Sequence, residues 1–423
     1  MKPMQYRIES LGECRVESPL PSLVAGAKEE ARILQDATLR ELPADASEPA
    51  SLELSGPMSK LYFDPKNTRA AIITCGGLCP GLNDVIRAVT MVLWYRYGVR
   101  DILGLRYGFE GLNPDLGHAP VRLEPELVED IHQQGGTILG TSRGKQDEKQ
   151  MVDFLQENRI DILLAVGGDG TQRGALDLAD EIDRRGAKIA VVGIPKTIDN
   201  DISCTERTFG FQTAVALSQP SIDSAHMEAK GVRNGIGLVK LMGRDSGFIA
   251  AYASLASSDV NLLLVPEVPF SLPKVMGFLE KRLEQKSHAV IVVAEGAGIN
   301  LVPTGGTDAS GNLKRGDIGI FLKEAIKNHF QQIGRGVSVK YIDPSYTIRS
   351  ARANADDSVF CFRLAENAVH AAMAGKTRLV VGLWNGHFVN IPSTEVVRHR
   401  KHIDSAGPLW ASILSNTGQP NLA

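Results

Sequence analysis

Three carboxylates stand where their neighbours give them chemical meaning: Asp169 in the run GGDGT, Gly167 to Thr171, and Asp199 and Asp201 in PKTIDND, Pro195 to Asp201. Gly167, Gly168 and Gly170 carry no Cβ, so backbone N–H groups can close on a phosphate, and Thr171 opens a helix whose N-terminus favours anions. A bare carboxylate inside that cradle would repel a polyphosphate. Asp169 therefore implies Mg²⁺ between the two. In an extended segment residues i and i+2 face the same way, so Asp199 and Asp201 are expected to point together. Such a set suits phosphoryl transfer, where positioning and charge stabilisation supply most of the catalysis. One carboxylate holds the metal and a second takes the proton of an attacking hydroxyl. An ordinary carboxylate, with a pKa near ~4, is a weak base for an alcohol. It suffices if the transition state is loose and the proton leaves late.

The elements that must position these residues are short apolar runs followed by loops. Ile160 to Val166 and Lys188 to Gly193 are too apolar and β-branched for solvent-facing strands, and an amphipathic segment separates them. That pattern is a βαβ unit whose strands are parallel, with their carboxyl ends on one side, the edge where open α/β sheets bind ligands. The same grammar recurs. RAAIITC leads through the turn GGLCPG into the helix LNDVIRAVTMVLWYRYG; GIGLVKL ends in MGRDSG; VNLLLVPE and HAVIVVAEGAG are two more strand-then-loop units. Repetition of this unit argues for doubly wound sheets with helices on both faces. Ala25 to Leu42 has helical spacing, residues 301 to 316 read as a polar Gly-rich loop, and DIGIFLKEAIKNHFQQ reads as a helix capped by Asp317. TRLVVGLW is taken as the last strand, and VVRHRKHIDSAGPLW as a basic helical tail.

At 423 residues the chain exceeds the roughly 250 to 300 at which single cores stop growing, so two domains are expected. Hydrophobic residues make up 43% and charged residues 22%, as in ordinary globular proteins. A net charge of -3 gives no electrostatic case for nucleic acid or an anionic membrane. No run has the ~18 apolar residues of a membrane span and the N-terminus lacks an apolar h-region, which suggests a cytoplasmic protein. Five cysteines at irregular spacing form no disulfide framework, and Cys75 and Cys79 in their Gly-rich turn read as packing residues rather than metal ligands.

GGDGT and PKTIDND, followed in order by MGRDSG, VAEGAG (Val293 to Gly298) and YIDPSYTIR (Tyr341 to Arg349), resemble the 6-phosphofructokinase family. The likeness runs from about residue 70 to 385 and is strongest to the long-chain subgroup, whose ATP-dependent members carry PKTIDND. It implies two doubly wound α/β domains with the active site in the cleft between them: an arm over 1–68, a nucleotide-binding domain over 69–205 with part of 350–390, a sugar-phosphate-binding domain over 206–349, and a helical tail over 391–423. It also implies MgATP and fructose 6-phosphate as ligands. Asp199 would be the base, Asp169 the metal ligand with Asp201 nearby, and Thr197 and Arg143 the holders of the transferring phosphoryl. Gly76, Gly77, Arg143, Gly144, Gly168, Asp169, Gly170 and Thr171 would cradle the nucleotide, with Tyr107 near its base. Thr197, Ile198, Asp199, Met242, Gly243, Arg244, Glu295, Tyr346 and Arg349 would hold the sugar phosphate, with Lys340 reaching in from a neighbouring subunit. A glycolytic, allosteric homo-oligomer follows by the same likeness, most often a tetramer.

Pyrophosphate-dependent relatives are the nearest alternative. They carry a second carboxylate after the metal aspartate, filling the space of the ATP α-phosphate; here that position is Gly170. Lys196 pulls the other way, since a lysine before TID is usual in pyrophosphate users, although ATP-dependent members of the subgroup have it too. A block must be absent for ATP to bind, whereas a cation helps either donor, so Gly170 decides. GTSRGKQ, around Arg143, is no P-loop: three residues rather than four separate its glycines and Gln146 replaces the metal-binding Ser/Thr. NAD kinases and lipid kinases share GGDGT but not the later motifs. GDGTQRG matches a dinucleotide-binding glycine pattern, yet its aspartate would face a pyrophosphate without a metal. A non-catalytic sugar-phosphate sensor would have lost an aspartate, and all three are present.

Overall fold

The computed structural model describes residues 6–21, 31–38, 49–302, 304–307 and 313–422. The chain lays down strands β1 (Arg32–Leu34), β2 (Ser51–Leu54), β3 (Arg69–Thr74), β4 (Asp101–Leu105), β5 (Val121–Arg122), β6 (Ile162–Gly167) and β7 (Ala190–Pro195). There follow β8 (Gly235–Leu241), β9 (Leu262–Leu264), β10 (His288–Ala294) and β11 (Ser338–Ile342), then β12 (Leu379–Trp384) and β13 (His387–Pro392).

Two compact units result. One comprises Met1–Thr197, Ile202–Gly210 and Ser350–Arg400, the other Ile198–Asp201, Phe211–Arg349 and Lys401–Ala423. The first holds a nine-stranded sheet in the order β1-β2-β13-β12-β7-β6-β3-β4-β5, parallel from β12 to β4 and antiparallel outside that run. β3 connects toward β4 on one side and β6 toward β7 on the other, so the strand order reverses between β3 and β6. Open α/β sheets place ligands at such a switch point. Ile73, Leu105, Leu163, Leu178 and Val191 are sealed in the core around these strands, each contributing on the order of 1.5–3 kcal/mol by burial.

The second unit is built on a four-stranded parallel sheet, β9-β10-β8-β11. Ile236, Leu264, Leu279, Ile291, Leu322 and Phe330 fill its core. The helix Ile318–Gln332 starts where the sequence places it: the Asp317 side chain accepts a hydrogen bond from the Ile320 N–H. Both units are mixed α/β with parallel central strands, the fold class expected.

Several local expectations are corrected. Of the helix expected over Ala25 to Leu42, residues 25–30 and 39–42 lie outside the described residues, and Arg32–Leu34 is a strand paired with Ser51–Leu54. Residues Thr304–Thr307 and Leu313–Arg315 pair as a hairpin within the expected loop. β12 is not the last strand, because β13 folds back on it through Asn385 and Gly386, both at positive φ. The expected helical tail is helical only at its ends, Ser393–Val396 and Pro408–Thr417; between them Arg400 bridges to Ile202.

Candidate active site

In the first unit Pro195 lies opposite Gly167, and Thr74 opposite Val166. Register alone therefore brings CGGLCPG, GGDGT and PKT off one sheet edge at one level. The buried Gln172 fixes that level, its amide donating to the carbonyls of Gly167 (2.9 Å) and Ile194 (3.3 Å) and so tying β6 to β7. Gly76, at φ +84, takes a conformation that side chains resist, which turns the chain sharply after β3. Its N–H donates to Ser142 O at 3.1 Å and its carbonyl accepts from Thr141 Oγ1 at 2.5 Å. Lys196 Nζ donates to Gly77 O at 2.6 Å, and a β-carbon placed on Gly77 would lie 3.3 Å from Arg143 Nη2. Gly76, Gly77, Arg143 and Lys196 are thus gathered in one cluster, with Gly144 following Arg143. Tyr107 borders it through the Ser142 hydroxyl, which donates to its carbonyl (2.6 Å), while its ring packs on His118.

Asp169 is the first residue of the helix Asp169–Arg184, after the N-cap Gly168, whose carbonyl accepts from the N–H of Thr171 (2.9 Å) and Gln172 (3.0 Å). A carboxylate there is favoured by the helix dipole. Its oxygen also pairs with Arg173 Nε at 3.4 Å and Arg400 at 3.2 Å. A β-carbon at Gly170 would meet nothing within 4 Å beyond its own helix turn. Thr197 accepts a hydrogen bond from the Thr208 hydroxyl (2.6 Å) through its carbonyl.

In the second unit Leu241 lies opposite Ala294, so Met242 and Glu295 leave neighbouring strands together. Gly243 sits at φ +123, where a β-carbon would fall 2.4 Å from Ser246 O, and its carbonyl accepts from the Gly296 N–H at 3.0 Å. That turn aims the Arg244 N–H at the Asp199 carboxylate. Ser246 Oγ donates to the Asp199 carbonyl (3.3 Å). The segment carrying Asp199 is not extended: Ile198 and Asp199 form a turn and Asn200 is left-handed at φ +56. Asn is among the few residues that adopt this region readily. Asp199 and Asp201 still interact, as does Glu295, which lies 3.6 Å from Arg349.

Burial pushes the Asp199 carboxyl up to about 8, reinforced by the charges of Asp201 and Glu295 and opposed by Arg349 and the Arg244 N–H. Its Oδ1 is sealed from water. The raised carboxyl departs from the ordinary value near ~4 on which the weak-base expectation rests. Ile198 and Met242 are buried beside this cluster's loops. Tyr346 is 84% exposed on the short helix that carries Arg349. Lys340 is not gathered with the others: it lies mid-strand opposite Gly237 and pairs with Glu228 at 3.4 Å.

Residues without a motif also serve the site. Arg173 and Arg400 attend Asp169, and Glu267 accepts the N–H of Gly247 (2.9 Å) and of Ile403 (3.0 Å), fixing the end of the MGRDSG turn. A period-four reading of the GGDGT helix would find Arg173. Nothing in the sequence marks Arg400 or Glu267.

Among the described residues no group of three or more His, Cys, Asp or Glu side chains forms a cage for an ion. Mg²⁺ needs none, since it sheds water reluctantly and binds through one or two carboxylates plus substrate phosphates. Asp169, a lone hard carboxylate on an anion-favouring helix N-terminus beside open space at Gly170, fits an ion that comes with its nucleotide.

The chain belongs to the phosphofructokinase family, whose profile matches residues 69–372. It is 46% identical over 435 residues to an ATP-dependent 6-phosphofructokinase of Borreliella burgdorferi, covering 99% of this chain and 97% of that one. It is 48% identical over 408 residues to the enzyme of the same name from Entamoeba histolytica, covering 96% and 93%. In fold it is similar to the crystal structure of the pyrophosphate-dependent phosphofructokinase of Marinobacter aquaeolei, with a TM-score of 0.69 at 20% identity over 83% of this chain and 91% of that one.

Proposed function

We propose that the protein is an ATP-dependent 6-phosphofructokinase, converting MgATP and D-fructose 6-phosphate to ADP and D-fructose 1,6-bisphosphate. The observation that carries the reading is the setting of Asp199, a buried carboxyl raised toward neutrality and faced by an arginine and a backbone N–H. The sugar's 1-hydroxyl oxygen forms a bond to the γ-phosphorus as the bond to the β,γ-bridging oxygen breaks, and ADP leaves. Asp199 accepts the hydroxyl proton. Ionised, it is held by the Arg244 N–H and by Arg349; once protonated, it is the form that burial favours.

Gly76, Gly77, Arg143, Gly144 and Gly168 to Thr171 hold the nucleotide, with Tyr107 beside its base. Arg143, Lys196 and Thr197 offer donors to the phosphoryl in transit. Met242, Gly243, Arg244, Glu295, Tyr346 and Arg349, with Thr197 and Ile198, hold the sugar phosphate. Asp169, with Asp201, would hold Mg²⁺, which when bound neutralises charge developing on the β- and γ-phosphates. The family setting supports a glycolytic, cytoplasmic, allosteric homotetramer in which Lys340 serves a neighbouring subunit. Among the described residues no helix is long and apolar enough to cross a membrane.

Gly170 favours ATP, since it carries no side chain and so no second carboxylate to repel an α-phosphate. Lys196, buried against the carbonyl of Gly77, favours the second reading, a pyrophosphate donor. Coupled assays with fructose 6-phosphate and either donor decide: turnover with ATP is expected, and turnover with pyrophosphate alone reverses the assignment.

A further inference from the structure

The segment after β13 lies outside the family match, which ends at residue 372, yet it reaches the GGDGT helix. Val397 O accepts from Arg173 Nη2 at 2.5 Å, and the backbone of Arg400 bridges to Ile202, immediately after Asp201. The Arg400 guanidinium lies 3.2 Å from an Asp169 oxygen, with Arg400 about one-third and Asp169 about one-fifth exposed. One residue thus binds the exit of PKTIDND by its main chain and the key carboxylate of GGDGT by its side chain. Resting on the assignment of Asp169 as metal ligand, the geometry points to Arg400 as the internal counter-ion of Asp169. It occupies the carboxylate while no nucleotide is bound and yields it to the ion that a nucleotide carries.

The charges explain why such a counter-ion has an effect. Arg173 is tethered four residues along the same helix and also spans to Val397 O, so it is anchored whatever Asp169 binds. Arg400 comes from a separate segment and is the partner that can be exchanged. For a partly exposed pair such as this one, 3.2 Å apart, the attraction is worth a few-fold, up to about fivefold, in an equilibrium constant. A free divalent ion must displace that guanidinium for one carboxylate in return. An ion already bound to a polyphosphate brings anionic oxygens that a released guanidinium can hold by its planar fork. Arg400 is therefore a positioning residue that makes metal entry depend on the nucleotide.

Mn²⁺ titration followed by electron paramagnetic resonance, with nucleotide-free full-length protein, tests this. Arg400→Gln should bind free Mn²⁺ about three- to fivefold more tightly than the parent, the factor above. Arg400→Lys, which keeps the charge, should stay within about twofold of the parent on that scale. Adding Asp169→Asn to Arg400→Gln should abolish the gain. Unchanged Mn²⁺ affinity in Arg400→Gln, an equal gain in Arg400→Lys, or a gain that survives Asp169→Asn each overturns the inference. The readout needs no turnover, so a wrong donor assignment, visible only in the coupled assays, is distinguishable from a wrong role for Arg400.

Discussion

The two units treat their carboxylates in opposite ways. In the first, Asp169 sits at a helix N-terminus with Arg173 and Arg400 beside it, so groups of opposite charge face it. In the second, Asp199 is buried with Asp201 and Glu295 as like-charged neighbours, and the Arg349 side chain opposes them. One arrangement keeps a charge; the other makes the charge uncomfortable until a proton arrives. The metal ligand and the general base proposed for these two positions call for such different environments, although both are aspartates in loops leaving parallel sheets. The residue type therefore says little about role, and its surroundings say nearly all.

The comparison breaks first if Asp199 can be removed cheaply. Asp199→Ala should lower kcat by at least ~10²-fold, with little change in the apparent affinity for fructose 6-phosphate. Steady-state kinetics with saturating MgATP check it, and an unchanged kcat would remove Asp199 as the base. On the first unit's side, a β-carbon at Gly170 meets no neighbouring group within 4 Å beyond its own helix turn, so the fold should accept Gly170→Asp. Repulsion of an α-phosphate, costing several kcal/mol, should reduce kcat/KM for ATP by roughly 10²-fold or more while sparing pyrophosphate binding. A smaller effect sharpens the reading of Asp199. Its raised carboxyl places the acid limb of kcat/KM for the sugar phosphate well above the usual carboxylate range, with activity lost as pH falls through it. Asp201→Asn removes one of the charges that raise it, and the limb should move down. A limb that stays put would mean that burial alone sets it.

Much of this was legible beforehand, and what was not has identifiable physical causes. β6 and β7 announced themselves as apolar β-branched runs, and Asp317 as a cap, because those signals are local. The sequence also carries a signal for β13: Asn385-Gly386 is the dipeptide that tight hairpins favour, and it is followed by the apolar, β-branched run Phe388 to Ile391 interrupted only by Asn390. β1 was misread as helix because its partner, Ser51–Leu54, lies beyond any local window. The Ile198–Asn200 turn defeated the i, i+2 argument, since a single left-handed residue re-aims everything after it. Arg400 meets Asp169 across 231 residues of chain, a pairing without spacing or motif to betray it.

Stability gives the most delicate contrast. Asp199 holds its proton more tightly in the folded protein than at its ordinary value of 3.8, so between about 4 and 8 the folded state binds a proton that the unfolded chain has released. Stability contributed by this group therefore falls as pH rises through that window, and the loss is complete above it. Asp199→Asn removes the burden. It should raise the thermal midpoint at pH 8.5 relative to the parent, by about 2–4 °C for each kcal/mol relieved. At pH 4 and below, where the native carboxyl is neutral anyway, the two proteins should melt together. Asp169→Asn should behave oppositely, with no gain at pH 8.5 and at most a small loss, since partly exposed ion pairs such as those to Arg173 and Arg400 contribute about 0–1 kcal/mol. Differential scanning calorimetry of the three proteins at the two pH values separates the cases. Equal gains from both substitutions at pH 8.5 would show that the two aspartates are under the same electrostatic strain, and the contrast between the units would be lost.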